Sequence, residues 1–201
     1  MNSAIKIDEI KKGIRCCVEN ANDLIYEAEV LLRNKIIART HSLSQLAMEE
    51  AGKSMMLYDL YNSLQMDKRA EFDFKTFRKN FRDHKWKTFK TNLIDFMMFA
   101  ENEKIDDLEK FSKITFVEIQ KIKNGHYDNL KNNSLYVSIE NDKFLKPAEI
   151  FNENEVTEFF LLAKSKIEFL TNWTESRLEI DEAFGADKEG IITMLNKDLN
   201  K

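Results

Sequence analysis

Residues 43–61 read Leu43-Ser44-Gln45-Leu46-Ala47-Met48-Glu49-Glu50-Ala51-Gly52-Lys53-Ser54-Met55-Met56-Leu57-Tyr58-Asp59-Leu60-Tyr61, a run without proline. Advancing each residue by about 100° brings Leu43, Ala47, Ser54, Leu57 and Tyr61 within about 40° of one line. Ala51, Met55 and Tyr58 widen that apolar arc on one side, and Leu46 and Leu64 on the other. So wide an arc predicts a long helix, from about Ile36 to Leu64, packed by neighbours around most of its circumference. Glu50 falls near the centre of the arc, Glu49 and Gln45 fall outside it, and Lys53 lies at its edge. A carboxylate facing a core has to be paired or protonated. Glu50 is therefore expected either as a strut tying helices together or as the group that orients a cation or catalytic side chain from another helix. Gly52 lies on the opposite side. A glycine in mid-helix costs about 1 kcal/mol relative to alanine, so close approach of another backbone is the reason expected for it.

The same periodicity extends in both directions. Ile7, Ile10, Ile14, Cys17, Ala21, Leu24, Ala28 and Leu31 hold helix spacing through the first segment, and Asn34 offers a turn. Residues 67–73 read as a charged connection, and 74–100 as a third helical stretch interrupted near His84. Ile105, Leu108, Phe111, Phe116, Ile119 and Ile122 form a fourth, stopped by Asn124-Gly125 as at a helix C-cap. Residues 125–154 are rich in Asn and Asp, hold the only proline, Pro147, and read as one long irregular segment of the kind that is often functional or mobile. Leu135-Tyr136-Val137-Ser138-Ile139 within it has some strand character. A fifth helix is expected over 155–184, stopped by Gly185, with a short terminal helix around Ile191–Leu199. The expectation is an all-α chain: a single domain over residues 1–201, with about five long helices, a short C-terminal helix and one irregular segment.

Composition agrees. Of the 201 residues, 43% are hydrophobic and 33% charged, with 15 Phe, and Gly (5) and Pro (1) are scarce. This is a folded chain with a sizeable core and few turns. A net charge of −4 gives no global field for nucleic acid, so any such contact would need a local patch. No run of about eighteen apolar residues predicts a membrane span, and the N-terminus lacks the apolar core of a secretory signal. The two cysteines, Cys16 and Cys17, are adjacent and poorly placed to pair, which fits reduced thiols in a cytoplasmic protein.

One local patch stands out: Phe77-Arg78-Lys79-Asn80-Phe81-Arg82-Asp83-His84-Lys85-Trp86-Lys87, where cations alternate with aromatics as suits phosphate contact and base stacking. A bland alternative is an amphipathic helix with snorkelling lysines. Arg78 and His84 satisfy Arg-x5-His, in which an arginine can hold a scissile phosphate while histidine acts as general base or acid. On one continuous helix the two would diverge by about 120°, so a break between Asn80 and His84 is required to bring them together. Of the other histidines, His41 falls on the back of the second helix and is expected at the surface. His126 sits in the irregular segment. No P-loop, dinucleotide-binding glycine pattern or zinc spacing is present, and neither a metal nor a cofactor is expected.

Leu46-Ala47-Met48-Glu49-Glu50-Ala51-Gly52-Lys53, preceded by Ala21, Leu24, Ala28 and Leu31-Leu32, resembles the opening two helices of the AbiV family of bacterial abortive-infection proteins. Phe81-Arg82-Asp83-His84-Lys85-Trp86-Lys87 resembles that family's His-x-x-Lys segment, and Leu135-Tyr136-Val137 with Pro147 its Leu-Tyr-Val and proline segment. Together these span about residues 20–150. The resemblance implies a HEPN-like helical bundle, a superfamily that often forms homodimers and often cleaves RNA through Arg-x(4–6)-His. It also implies a role in phage resistance, in which translation is shut down in the infected cell. Carried over by position, Glu50, Lys53, His84, Lys87 and Tyr136 match family motif positions, whereas Arg78 matches only the superfamily pattern. Ser138 stands where an acid tends to follow Leu-Tyr-Val. On this reading His84 is the acid/base, Arg78 and Lys87 hold phosphate, and Glu50 fixes a cation or the histidine tautomer. Tyr136 adds a hydrogen bond or a stacking face. The partners implied are a second copy of the chain, RNA or the translation machinery, and a phage-encoded protein as trigger. The rival expectation is a non-catalytic module that blocks translation by binding a ribosomal or phage protein.

Overall fold

The computed structural model describes residues 5–66, 73–102 and 108–198. The chain divides into two compact units, Met1–Leu170 and Thr171–Lys201. Helices α1 (Ile7–Arg33) and α2 (Ile37–Met66) form an antiparallel hairpin. After it come α3 (Phe74–Arg82), α4 (His84–Asn102), α5 (Leu108–Lys123) and α6 (His126–Leu135). A two-stranded hairpin follows, β1 (Ser138–Glu140) with β2 (Lys143–Leu145), then the short α7 (Pro147–Ile150) and α8 (Glu153–Asp198). The all-α expectation holds, the hairpin being the one sheet among the described residues.

α1 buries Ile10, Ile14, Cys17, Val18, Ala21, Ile25 and Ala28, the stripe that its spacing dictates. Fully burying one such isoleucine contributes about 1.5–3 kcal/mol. The turn to α2 is closed by Lys35 in the left-handed region (φ 60), with the amide of Ile36 donating to the carbonyl of Leu31 at 2.9 Å. α2 is enclosed on most sides: Ala47, Met48, Ala51, Met55, Met56, Leu57, Leu60 and Tyr61 are buried, and so are Thr40, Ser42, Ser44, Gln45 and Ser54. From the first unit, α8 adds Val156, Phe160, Ala163, Ile167 and Leu170 to the core.

Three expectations change, and the expected break near His84 is met. Residues 125–154 are ordered into α6, the β-hairpin and α7. Gly125 (φ 72) ends α5 and α6 begins at once, while Asn141 and Asp142 (φ 50 and 62) supply the two left-handed residues of a tight hairpin turn. Asn and Asp here are turn formers. Leu135 closes α6, so the strand begins at Ser138, in register Ile139↔Phe144. Second, α8 runs on through Gly185 to Asp198, since a helical glycine lowers stability without forbidding the helix. The interruption expected near His84 falls at the single residue Asp83, whose carboxylate accepts the amides of Lys85 (2.8 Å) and Trp86 (3.3 Å) and so starts α4 at His84. Third, His41 is buried, its ring 4.6 Å from that of Phe159 and 4.8 Å from that of Phe151. α7 and α8 cover the side of α2 that the apolar count left to solvent. Ile105 and the connection 67–72 lie outside the described residues.

Burial, with a smaller contribution from His126, lowers the His41 pKa from 6.5 to about 4. The unfolded chain then takes up this proton before the native state does. His41 thus adds stability that is complete above pH 6.5 and lost as pH falls from there to 4, by roughly 3 kcal/mol. Urea midpoints measured between pH 7 and 4 should fall steeply for the native sequence and less steeply for His41→Phe. Parallel slopes would refute the assignment.

Candidate functional site

The face of α2 formed by Ser42, Gln45, Glu49, Gly52 and Met56 meets α4 and α6. A Cβ built on Gly52 would lie 2.0 Å from the carbonyl oxygen of Lys87, so the backbones of α2 and α4 touch there. The Gln45 amide donates to the Tyr127 carbonyl (2.8 Å), and the hydroxyls of Ser42 and Ser134 meet at 2.5 Å. This polar face is buried because neighbouring helices supply its hydrogen-bond partners.

Glu49 sits at the middle of it, with its side chain 3% exposed. Its Oε2 meets His84 Nδ1 at 2.6 Å and Lys87 Nζ at 2.9 Å, and its Oε1 accepts from Lys131 Nζ at 2.6 Å. The ammonium groups of Lys131 and Lys87 also lie 3.0 and 3.2 Å from His84 Nδ1. Asp128 stands 3.9 Å from Lys131 at the edge. Burial alone would raise the Glu49 pKa, and the hydrogen bonds from Lys131, Lys87 and His84 outweigh it and hold the carboxyl below its ordinary value. With Nδ1–H donating to Glu49, the imidazole is held in the tautomer whose Nε2 is an acceptor. The His84 side chain is 50% exposed, so the ring edge away from the buried carboxylate is the edge open to solvent.

Three elements build this arrangement. α2 supplies the carboxylate; the Asp83 cap sets the first turn of α4, three residues apart for His84 and Lys87; α6 supplies Lys131. Glu49, His84 and Asp128 carry ligand atoms within 4.8 Å of one another. A divalent cation there would compete with two ammonium groups already lodged against Glu49, and that donor set does not fit a metal centre. What the geometry can do is hold one imidazole rigidly with two lysines beside it. The basic stretch 74–90 around it carries seven Lys and Arg against one Asp.

The residues expected at the site divide into two groups. His84 and Lys87 converge on one carboxylate, and that carboxylate is Glu49. Glu50 lies on the α1 side of α2, away from this cluster, with its side chain 17% exposed: it pairs with Lys53, and its charge acts on Cys17, whose thiol burial pushes up to about 12. The Lys53 ammonium also sits 5.7 Å over the Phe81 ring. Arg78 is exposed on α3, and among the described residues no hydrogen bond or ion pair joins it to the Glu49 cluster. Tyr136, at the C-terminal cap of α6, is 65% exposed and, among the described residues, makes no hydrogen bond to that cluster. Glu49 and Lys131 are the residues that the sequence reading passed over. A signal for Glu49 existed: Ser42, Gln45, Glu49, Gly52 and Met56 recur at alternating three- and four-residue steps, a small and polar stripe suited to close helix contact.

The family model described as AbiV, of the HEPN type, matches residues 9–168. That match includes every residue of the Glu49 cluster. No curated protein and no solved structure is similar enough to the chain to count as a match.

Proposed function

The chain belongs to the AbiV family of HEPN-type abortive-infection proteins, and from that premise we propose that it halts phage infection by shutting down translation through metal-independent cleavage of RNA. The observation that carries this reading is the His84 imidazole, half exposed, anchored through Nδ1 to a buried carboxylate and flanked by two ammonium groups. Nε2 takes the proton of a ribose 2′-hydroxyl. The 2′-oxygen attacks the adjacent phosphorus, the bond to the 5′-oxygen breaks, and that oxygen takes a proton from solvent. The products are a 2′,3′-cyclic phosphate and a 5′-hydroxyl. Lys87 and Lys131, buried against Glu49 on the Nδ1 side, add positive potential beneath the ring that favours an approaching phosphate, and Glu49 holds the tautomer. Arg78, outside the cluster, belongs to the basic approach path. A homodimer and a phage-encoded trigger complete the proposal. No helix of the described residues is long and apolar enough to cross a membrane.

Cells carrying the native chain or His84→Ala are infected, and total RNA and protein synthesis are followed. RNA breakage with cyclic-phosphate ends and arrest of synthesis are expected with the native chain only. Intact RNA in both, with both still arresting growth, would sink the cleavage mechanism.

A second reading, a module that blocks translation by binding a ribosomal or phage protein, is favoured by the β-hairpin. Ile139 and Phe144 face each other across it at 65% and 77% exposure, beside Val137 at 60%. On that reading Ile139→Ser with Phe144→Ser abolishes the arrest although RNA stays whole throughout.

A further inference from the structure

On the far side of the first turn of α4 from Glu49 lies a cavity of about 210 Å3, lined by Lys85, Trp86, Phe89, Ile119, Ile122 and Lys123. Its walls are apolar, with Trp86 and Phe89 in edge-to-face contact at 5.8 Å. Trp86 is 43% exposed, unusual for a tryptophan whose neighbours are a phenylalanine and two isoleucines. Both charged residues at the rim are lysines, and no acidic side chain lines the cavity among the described residues. The Lys85 ammonium donates to the carbonyl of Lys123 at 3.0 Å, which satisfies the end of α5 and fixes that wall of the cavity.

An apolar cavity with a partly bare indole and lysines beside it is the chemistry that takes an unpaired nucleobase, its ring against the aromatic and its phosphates on the lysines. The volume is below the roughly 300–1,000 Å3 of clefts that enclose drug-sized ligands, and suits one heterocycle. Continuity with the site described above follows from the chain: His84, Lys85, Trp86 and Lys87 are consecutive at the start of α4. A helix is about 10 Å across, a distance that one or two extended nucleotides span.

We propose that this cavity is a base-binding subsite, in which Trp86 stacks on a nucleobase flanking the phosphate at His84, so that the protein acts on single-stranded RNA. The proposal rests on His84 as an RNA site, and the base is unstacked from its own strand before it enters. A paired base in a duplex offers neither free face, so duplex RNA is excluded.

The test uses the full chain carrying His84→Ala, so that no RNA is consumed, with and without Trp86→Phe and Trp86→Ala. A mixed-sequence single-stranded oligoribonucleotide, its duplex and inorganic polyphosphate are titrated in turn while tryptophan fluorescence and RNA anisotropy are read. Single strands should quench the fluorescence, and the quench should vanish in Trp86→Phe, which removes the indole and keeps a ring. Duplex and polyphosphate should not quench. Trp86→Ala should weaken single-strand binding about tenfold, with Trp86→Phe in between, as expected for loss of one base–aromatic stack. Single strands that bind without quenching, or an equal response to duplex, would overturn the subsite while leaving His84 as an RNA site. Quenching in a protein whose native form cuts no RNA would keep the subsite and overturn the cleavage reading. Absence of any RNA binding overturns both.

Discussion

Glu49→Ala is expected to lower the free energy of unfolding by about 3–5 kcal/mol, the range for removing one partner of a buried ionic cluster. Among the described residues, the carboxylate is the one group that neutralises Lys87, and it sits against Lys131 on the buried side of the site. Without it two ammonium groups and an imidazole face one another across 3.0 and 3.2 Å, in a place from which Lys87, with its side chain 6% exposed, cannot reach water. Glu49→Gln keeps the shape and one acceptor oxygen, so its loss should be smaller. The effect also has a pH signature. The Glu49 pKa is held down in the native state from the ordinary 4.5, so the stability that it adds is complete above pH 4.5 and disappears as pH falls through the lower native value. Native and Glu49→Gln urea midpoints should therefore differ at pH 7 and draw together on acidification below 4.5. A constant gap would mean that Glu49 is not the charged hub of the site. Because His84 loses its anchor, RNA cleavage should fall in both variants, including at temperatures where Glu49→Gln is still folded.

How the site escaped the sequence reading follows from what a helical wheel counts. It weighs apolar residues, and on α2 these gather on the arc that includes the α1-facing side, where Leu57 comes within reach of Gly13. Glu50 lies near the centre of that arc and is largely enclosed there beside Cys17. The opposite face is equally buried, but it is lined with Ser42, Gln45 and Glu49, whose partners Ser134, Tyr127, His84 and Lys131 come from segments 35–92 residues away. The stripe Ser42, Gln45, Glu49, Gly52 and Met56 signals close contact with another helix, but nothing within α2 says which segment supplies the hydrogen bonds. For the same reason His41 looked like a surface residue, although Phe151 and Phe159 enclose it. Lys131 was hidden because the Asn-rich run Asp128-Asn129-Leu130-Lys131-Asn132-Asn133 has low helix propensity, and tertiary contact with α2 overrides it. Local signals fared better. The stop at Asn124-Gly125, the break before His84 and the tight contact at Gly52 each depend on one or two residues whose backbone chemistry is fixed, and each is where the sequence puts it.

Gly52 supports the second large effect. Gly52→Ala should destabilise the protein by roughly 3 kcal/mol, at the upper end of overpacking costs, in spite of the gain of about 1 kcal/mol in helix propensity. The new methyl would stand 2.0 Å from the carbonyl oxygen of Lys87 and 2.7 Å from its carbonyl carbon. A backbone carbonyl in a helix cannot rotate away, so α4 has to move as a unit, taking His84 and Lys87 off Glu49. A displacement of about 1 Å at a reacting group can cost on the order of 100-fold in rate, so cleavage should fall even where the variant remains folded. Trimming the obstructing residue offers no relief: Gly52→Ala with Lys87→Ala should be no more stable than Gly52→Ala alone, because the clash is with main chain. Gly13 provides the contrast, since a methyl there would meet only the tip of the Leu57 side chain at 3.1 Å, which can turn aside. Gly13→Ala should be close to neutral or mildly stabilising by thermal melting. If Gly52→Ala proves as stable as Gly13→Ala, α2 and α4 do not touch at this point, and the contact that sets His84 against Glu49 is lost with them.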